Sequence, residues 1–390
     1  MNRHIMMIAG EPSGDALGAS LMAALKEYSP HVGITGIGGH AMQAQGLGSL
    51  FPISDISLMG IVEIVPKLPT VLKRIRETVD YIKQAQPDMV VTIDSPDFSF
   101  RVARKVREEM GRHAPKLIHY VAPSVWAWRP ERAKKIARIY DGLICLFDFE
   151  PAFFVREGLR AIAVGHPIVE RNAMQADGAI YRDEVGISLR EMTVGILMGS
   201  RAGEVNRHGP LLTQAATRLA YKIPGDPPHL IVPALPHTEN LVWSHLKSYP
   251  GPVHITRRSE LKWHAFRAMD IAMSVSGTVG LELAVLGTPH MITYKMNPIT
   301  YALVKRAVKI PYAHLCNIIL DRRVVPEFIQ GNAKPDALAE EALALMIDQR
   351  SRKRQIEAFD QLRPRLGFGQ EKTPSQKAAE FVFSYDVAKA

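Results

Sequence analysis

Short apolar runs alternate with stretches whose apolar residues recur every three or four positions, from the start of the chain almost to its end. The runs predict strands at His4–Ala9, Val32–Ile37, Met89–Ile93, Lys116–Val121, Gly142–Phe147 and Ala161–Val164. The periodic stretches between them predict helices near Ala16–Tyr28, Leu68–Lys83, Phe100–Met110, Glu131–Ile139 and Pro151–Glu157. In the first helix Leu17, Leu21, Leu25 and Tyr28 share one face, and Ser29-Pro30 ends it. A polar stretch with little pattern, Glu170 to Asp183, reads as a linker. The alternation then resumes, with strands at Thr193–Met198, His229–Val232, Val253–Thr256, Ile271–Val275 and His290–Thr293. Helices are expected at Glu204–Tyr221, Asn240–Lys247, Ser259–Phe266, Val279–Leu286 and Pro298–Val308, with a helical C-terminus from Lys334. Strands and helices in alternation imply an α/β fold with mostly parallel sheets, in two doubly wound halves facing a cleft. The expected domains are 1–168 and 169–365, with 366–390 packing back on the first.

Composition agrees with a globular chain: 390 residues, 47% hydrophobic and 22% charged. The length itself favours two domains. Cys145 and Cys316 are far apart, each after apolar residues, and read as buried reduced thiols of a cytoplasmic protein. No Cys/His cluster has zinc spacing, so no metal is expected. The apolar run Ile5–Ala9 is shorter than the roughly 7–15 residues of a signal peptide core. No run reaches the roughly 18 apolar residues of a membrane span. The net charge of +9 favours polyanionic partners. Without a lysine-rich tail, an RNA-binding aromatic motif or a zinc finger, nucleic acid is not expected among them; an anionic lipid surface or a phosphorylated substrate is.

In doubly wound sheets ligands bind beyond the carboxyl ends of strands, and the chemistry-bearing residues gather there. Gly199-Ser200-Arg201 ends one apolar run and opens a helix. First-turn N–H groups, the helix dipole and a guanidinium fork suit phosphate oxygens. The other reading is an ordinary turn with a surface arginine. Ser276-Gly277-Thr278 repeats the arrangement: Gly277 allows close backbone approach, and Thr278 can cap or bind an oxygen. Glu282 lies one turn beyond Thr278 on the same face and can accept both hydroxyls of a ribose. Alone it reads as a solvated helical carboxylate; with two such turns in one half, a nucleotide site is the better reading.

In the first half, Asp94 and Asp97 flank Pro96-containing loop sequence after a strand, where the proline keeps the loop out of helix. Either carboxylate can serve as a general base, or Asp97 can cap the following helix. Glu11, Ser13 and Asp15 surround Gly10 and Gly14, which do not form the G-x-G-x-x-G fingerprint of NAD or FAD sites. Asp15 suits the first turn of a helix, and Glu11 is the functional candidate. Leu58–Pro69, with Met59, Ile61 and Val62, precedes Lys73, Arg74 and Arg76. Apolar beside basic residues suit an anionic membrane surface, an acyl chain, or a buried helix. Trp126 and Trp128 beside Arg129 offer a second interfacial patch, and Leu303, Val304 and Val308 with Lys305, Arg306 and Lys309 a third.

Taken in order, these motifs resemble the lipid-A-disaccharide synthases. The resemblance is carried by Gly10–Asp15, Met59–Glu63, Ile93–Phe98, His119–Arg129 with its paired tryptophans, and Gly165-His166-Pro167. It continues through Gly199-Ser200-Arg201 with Glu204 and Val205, Ser276-Gly277-Thr278 with Glu282, Asn317, and Val324–Phe328. There are departures from the usual pattern: Met198 and Cys316 stand where proline is usual, Val279-Gly280 replaces Ala-Thr or Ala-Ala, and Asp321 stands where glycine is usual. The resemblance implies a two-domain GT-B glycosyltransferase without cofactor or metal. It would join UDP-2,3-diacylglucosamine to 2,3-diacylglucosamine 1-phosphate, with inversion, at the inner face of the inner membrane; a homodimer is compatible with it. It further implies Asp94 as the base with Glu11 and Asp97 as rivals. Ser13, Met59, Ile61, Val62, Trp126, Trp128 and Arg129 would face acceptor or membrane. Gly199, Ser200, Arg201, Glu204, Ser276, Gly277, Thr278, Glu282 and Asn317 would hold the UDP-sugar. A UDP-sugar 2-epimerase of the same architecture and a non-catalytic two-lobe binding protein are the competing readings.

Overall fold

The computed structural model describes residues 3–57 and 61–386, and only the backbone at 61–67, 299 and 303. The chain forms two compact units. One holds the described residues up to Glu170 and from Leu366 onward; the other is Arg171–Arg365.

The first unit is built on a parallel sheet of β1 (His4–Ala9), β2 (Gly33–Ile37), β3 (Met89–Ile93), β4 (Lys116–Tyr120), β5 (Gly142–Cys145) and β6 (Arg160–Ala163), in the order β2-β1-β3-β4-β5-β6. Its central strands are apolar on both faces because helices cover both. In β1, Met6 and Ile8 enter one core while Ile5, Met7 and Ala9 enter the other, as a two-residue side-chain period requires. The Pro374–Phe383 helix belongs to this unit: Phe383 stacks on Tyr28 at 4.8 Å and the Tyr385 hydroxyl donates to the Asp141 carbonyl at 3.0 Å.

The second unit carries β7 (Thr193–Leu197), β8 (His229–Pro233), β9 (Val253–Thr256), β10 (Ile271–Val275), β11 (His290–Tyr294) and β12 (Glu327–Ile329). Their order is β12-β11-β10-β7-β8-β9, again all parallel. Numbered from β7, this is the dinucleotide-fold order 3-2-1-4-5-6. The order reverses between β7 and β10 here, and between β1 and β3 in the first unit. Those two points are where a ligand crevice opens.

Every expected strand forms, within a residue or two at its ends. Several elements were not expected, among them the short helices His40–Ala44 and Leu315–Leu320. β12 has only three residues, too few to show a period. The stretch read as a featureless linker contains a helix, Gly178–Val185, capped by Asp177, whose carboxylate accepts from the Ala179 amide at 2.9 Å, and ended by Gly186 at φ 72°. Its caps outweigh its weak apolar pattern.

At the start of β11, His290 faces His314 with their Nε2 atoms 3.0 Å apart. His314 Nδ1 accepts from the Cys316 amide and His290 Nδ1 lies 2.8 Å from the Thr288 carbonyl, so the pair is satisfied as two neutral rings. Burial lowers His290 to about 4 and holds His314 well below the usual histidine range. The unfolded chain therefore takes up protons first as pH falls. The contribution of these rings to stability is complete above about pH 6.5 and is lost as pH falls towards 4. Thermal unfolding midpoints should fall steeply over that window and flatten in His290→Gln; an unchanged pH profile in that variant would contradict the assignment.

Candidate active site

At the first unit's reversal point, β1 leads into Glu11, which stands half-buried at the cap position of the Pro12–Tyr28 helix. Asp94 follows β3 directly. Its Oδ2 accepts from Ser13 Oγ at 3.0 Å and its Oδ1 from the Ser95 amide at 2.8 Å. Ser99 Oγ donates to the Asp94 carbonyl at 2.8 Å. Asp94 and Ser95 both take left-handed φ values, 52° and 46°, which side-chain-bearing residues rarely adopt. Gly10 makes the arrangement possible: a Cβ there would lie 2.4 Å from Ser95 Oγ. The result is a half-buried carboxylate held in one orientation at the crevice.

Its neighbours differ from expectation in detail. Pro96 does not hold a loop out of helix; it is the first residue of the Pro96–Met110 helix, where its missing N–H and fixed φ are tolerated. Asp97 is thus exposed in the first turn, with Ser95 at the cap position. Asp15 is buried and accepts from the amides of Gly39, Ala41 and Met42 at 2.7–3.1 Å, tying two helices together.

The tryptophan segment follows β4. Trp126 Nε1 donates to Glu150, a buried carboxylate that also accepts from the Leu146 and Phe147 amides. Burial raises Glu150 to about 7. Trp128 is 39% exposed, with the Arg129 and Arg132 guanidinium groups 4.5 and 5.8 Å from its ring centre. Met59 lies outside the described residues. Ile61 and Val62 open the Ile61–Ala85 helix, and their side chains are outside the description. Farther along that helix Leu68 and Leu72 are exposed.

At the second unit's reversal point lies a cavity of about 1190 Å³. Gly199, Ser200, Arg201, Glu204, Ser276, Gly277, Thr278 and Glu282 all line it. Gly199 has φ 106° and its missing Cβ would meet Glu204 Oε2 at 2.6 Å. Glu204 Oε2 accepts from the amides of Ser200 and Arg201 at 3.0 and 3.3 Å. Two amides that the sequence reading left for phosphate are therefore taken by this carboxylate, which shapes the turn. Helix geometry leaves the Ala202 and Gly203 amides without intrahelical acceptors. Gly277, not Thr278, is the cap residue of the Thr278–Leu286 helix, and nothing lies within 4 Å of where its Cβ would be. The backbone there meets open space.

Glu282 is 7% exposed and is held by Lys262 at 2.8 Å, with Arg171 at 3.8 Å. Asn317 does not line the cavity. Its amide donates to the Val325 carbonyl and Glu327, and its oxygen accepts from the Val324 and Val325 amides, all at 2.8 Å. That use of both ends makes it a brace for the loop before β12. Glu327 accepts from the Ala313 and His314 amides and fixes the segment whose Ala313 carbonyl accepts from Ser276 Oγ at 3.3 Å. Lys262 was not legible in the sequence; Glu327 was visible only as part of a motif. Two of the departures have local causes: Asp321 ends a helix at φ 48°, which explains why glycine is usual there, and a Cβ on Gly280 would lie 2.3 Å from His314 Nε2.

Arg201, Arg257, Arg258, Lys262 and Lys305 line the cavity against two carboxylates, Glu204 and Glu282, so its mouth favours an anion. Among the described residues no group of three or more His, Cys, Asp or Glu side chains is placed to hold a metal ion. Two parallel α/β units, one with an anion-receptive cavity at a dinucleotide-type reversal point, make up a GT-B-type fold.

A family model for lipid-A-disaccharide synthetase matches residues 5–381. The chain belongs to the lipid-A-disaccharide synthase family and is a glycosyltransferase of lipid A biosynthesis. The Rhodospirillum centenum lipid-A-disaccharide synthase is 42% identical over 381 residues, covering 97% of this chain and 94% of that one. The Pseudomonas aeruginosa enzyme is 35% identical over 378 residues, covering 97% of each. Among solved structures, Acinetobacter baumannii MurG matches with a TM-score of 0.59 at 14% identity, over 98% of this chain and 100% of that one. A Neisseria meningitidis UDP-GlcNAc 2-epimerase bound to UDP-GlcNAc matches with a TM-score of 0.62 at 11% identity, over 97% and 98%. These two share the fold. The epimerase reading is not favoured, since the family match spans almost the whole chain. Among the described residues no helix is long and apolar enough to cross a membrane.

Proposed function

We propose that the chain transfers diacylglucosamine from UDP-2,3-diacylglucosamine to the 6-hydroxyl of 2,3-diacylglucosamine 1-phosphate, inverting the anomeric centre and releasing UDP. The observation that carries this reading is the convergence of Gly199-Ser200-Arg201, Ser276-Gly277-Thr278 and Glu282 on one cavity at a dinucleotide-type reversal point. UDP occupies this cavity. Its diphosphate meets Arg201 and the first-turn amides of the Thr278–Leu286 helix, and its ribose hydroxyls meet Glu282, with Lys262 easing its grip on that carboxylate. As the acceptor oxygen bonds to the anomeric carbon, the bond to UDP breaks and negative charge grows on the leaving phosphate. Arg201 and the helix dipole stabilise it. The acceptor's hydroxyl proton passes to Asp94, whose orientation by Ser13 and Ser95 supports this role over exposed Asp97; half-buried Glu11 is the remaining rival. Peripheral binding to the inner face of the inner membrane is supported by the charge of +9, exposed Leu68 and Leu72, and Trp128 between arginines.

The nucleotide assignment is tested by UDP calorimetry. Gly277→Ala adds a methyl group to open space, so its unfolding midpoint should match the wild type. That methyl occupies the backbone's approach to diphosphate, so UDP affinity should fall by about tenfold or more. Equal UDP affinity in the two proteins, or no wild-type affinity, would contradict the assignment.

A further inference from the structure

The volume of about 1190 Å³ exceeds the roughly 300–1,000 Å³ of ordinary small-ligand sites, and its lining joins polar turns to a set of large apolar side chains. Its apolar lining includes Met198, Tyr294, Met296, Tyr301, Val304 and Val308. Tyr301, Val304 and Lys305 lie on the Pro298–Ala307 helix, and Val308 follows it, its amide still bonded to the Val304 carbonyl at 2.8 Å. They are spaced i, i+3, i+4 and i+7, so they form one stripe. The second unit's main apolar core includes no described side chain from this helix. Its apolar stripe faces the cavity, where Val304 remains 37% exposed. An apolar stripe turned away from the core fits a ligand of matching chemistry.

The phosphate turns and this wall share one scaffold. Ser276 Oγ donates to the Ala313 carbonyl at 3.3 Å, beside the wall's Ile310–Tyr312 segment. His208 bridges the Glu204 carbonyl at 2.8 Å and the Lys295 amide at 2.9 Å, next to Tyr294 and Met296. Burial lowers its pKa, which favours the neutral ring that both bonds require. A ligand with its diphosphate at the turns therefore has this wall in the same cavity. Lys305 can lay its alkyl stem along the same wall and keep its charge near the phosphates.

We propose that the Tyr301–Val304–Val308 stripe binds an acyl chain of the lipid-sugar donor and sets the length of chain accepted. This rests on the donor reading above and names a part of the substrate that the nucleotide site does not recognise. The sequence pattern offered this helix as one candidate for a membrane surface; its position on the cavity wall favours the substrate.

The test uses Val304→Trp, which fills the wall, and Val308→Ser, which makes it polar. Each is assayed with short-chain and long-chain UDP-diacylglucosamine in the same detergent, with UDP affinity as a check on the turns. In both variants the ratio of long-chain to short-chain kcat/KM should fall by about tenfold or more, while UDP affinity stays within about twofold of wild type. An unchanged ratio in both variants overturns the proposal, including the case in which only vesicle binding weakens. If the wild type neither binds UDP nor turns over an acylated donor, the donor reading itself fails; wild-type turnover with a flat chain-length response overturns only the acyl-chain assignment.

Discussion

Asp94→Ala should lose about 10³–10⁴-fold in turnover while binding UDP as the wild type does. The expectation follows from how the residue is held. Its carboxylate follows β3, accepts from Ser13 and the Ser95 amide, and sits on backbone with left-handed φ, an arrangement for which Gly10 makes room. Strain of this kind persists where surrounding contacts over-determine it and commonly marks reactive positions. Asp94→Asn keeps the shape and the contacts with Ser13 and Ser95 while removing the basic oxygen, and should be nearly as inactive. UDP affinity should be unaffected because the residue belongs to the first unit and the nucleotide cavity to the second. Single-turnover assays with saturating donor, paired with UDP calorimetry, separate the two quantities. Substantial activity in Asp94→Asn would move the base to Glu11.

Arg201→Ala should lower kcat by about 10²–10³-fold, the usual cost of removing a donor from a developing oxyanion, or roughly 3–4 kcal/mol of barrier. The Arg201 side chain is 71% exposed and lies 3.5 Å from Glu204, a weak ion pair in which neither geometry nor burial supplies much stability. Its loss should therefore leave the unfolding midpoint almost unchanged. Arg201→Lys should recover part of the rate, since a point charge replaces the fork without its paired geometry. An unchanged rate at saturating donor would remove Arg201 from leaving-group stabilisation.

Much of this was readable in the chain because strand ends are easy to find. β3 and β10 are mostly apolar runs, each with one small hydroxyl residue, closed by polar residues, so the sequence alone places Asp94 and Ser276 at crevices. What stayed hidden depends on three-dimensional partners. Glu204 looks like a ligand-binding carboxylate until its contacts with the Ser200 and Arg201 amides are seen. Asn317 looks like a free polar group until its bonds to Val324, Val325 and Glu327 are found. The Pro298–Ala307 helix has a pattern that suits a membrane, a core or a cavity equally well, because periodicity says that a face is apolar and not what covers it. Lys262 lies twenty positions from Glu282, and no local pattern signals that contact.

The central claim is glycosyl transfer from a UDP-linked lipid sugar. It is tested most directly by incubating the protein with UDP-2,3-diacylglucosamine and 2,3-diacylglucosamine 1-phosphate and quantifying UDP and disaccharide in the same samples over time. UDP and disaccharide should appear in equal amounts, and only when both substrates are present. UDP release independent of the acceptor, an altered UDP-sugar without disaccharide, or no product at all would contradict the claim.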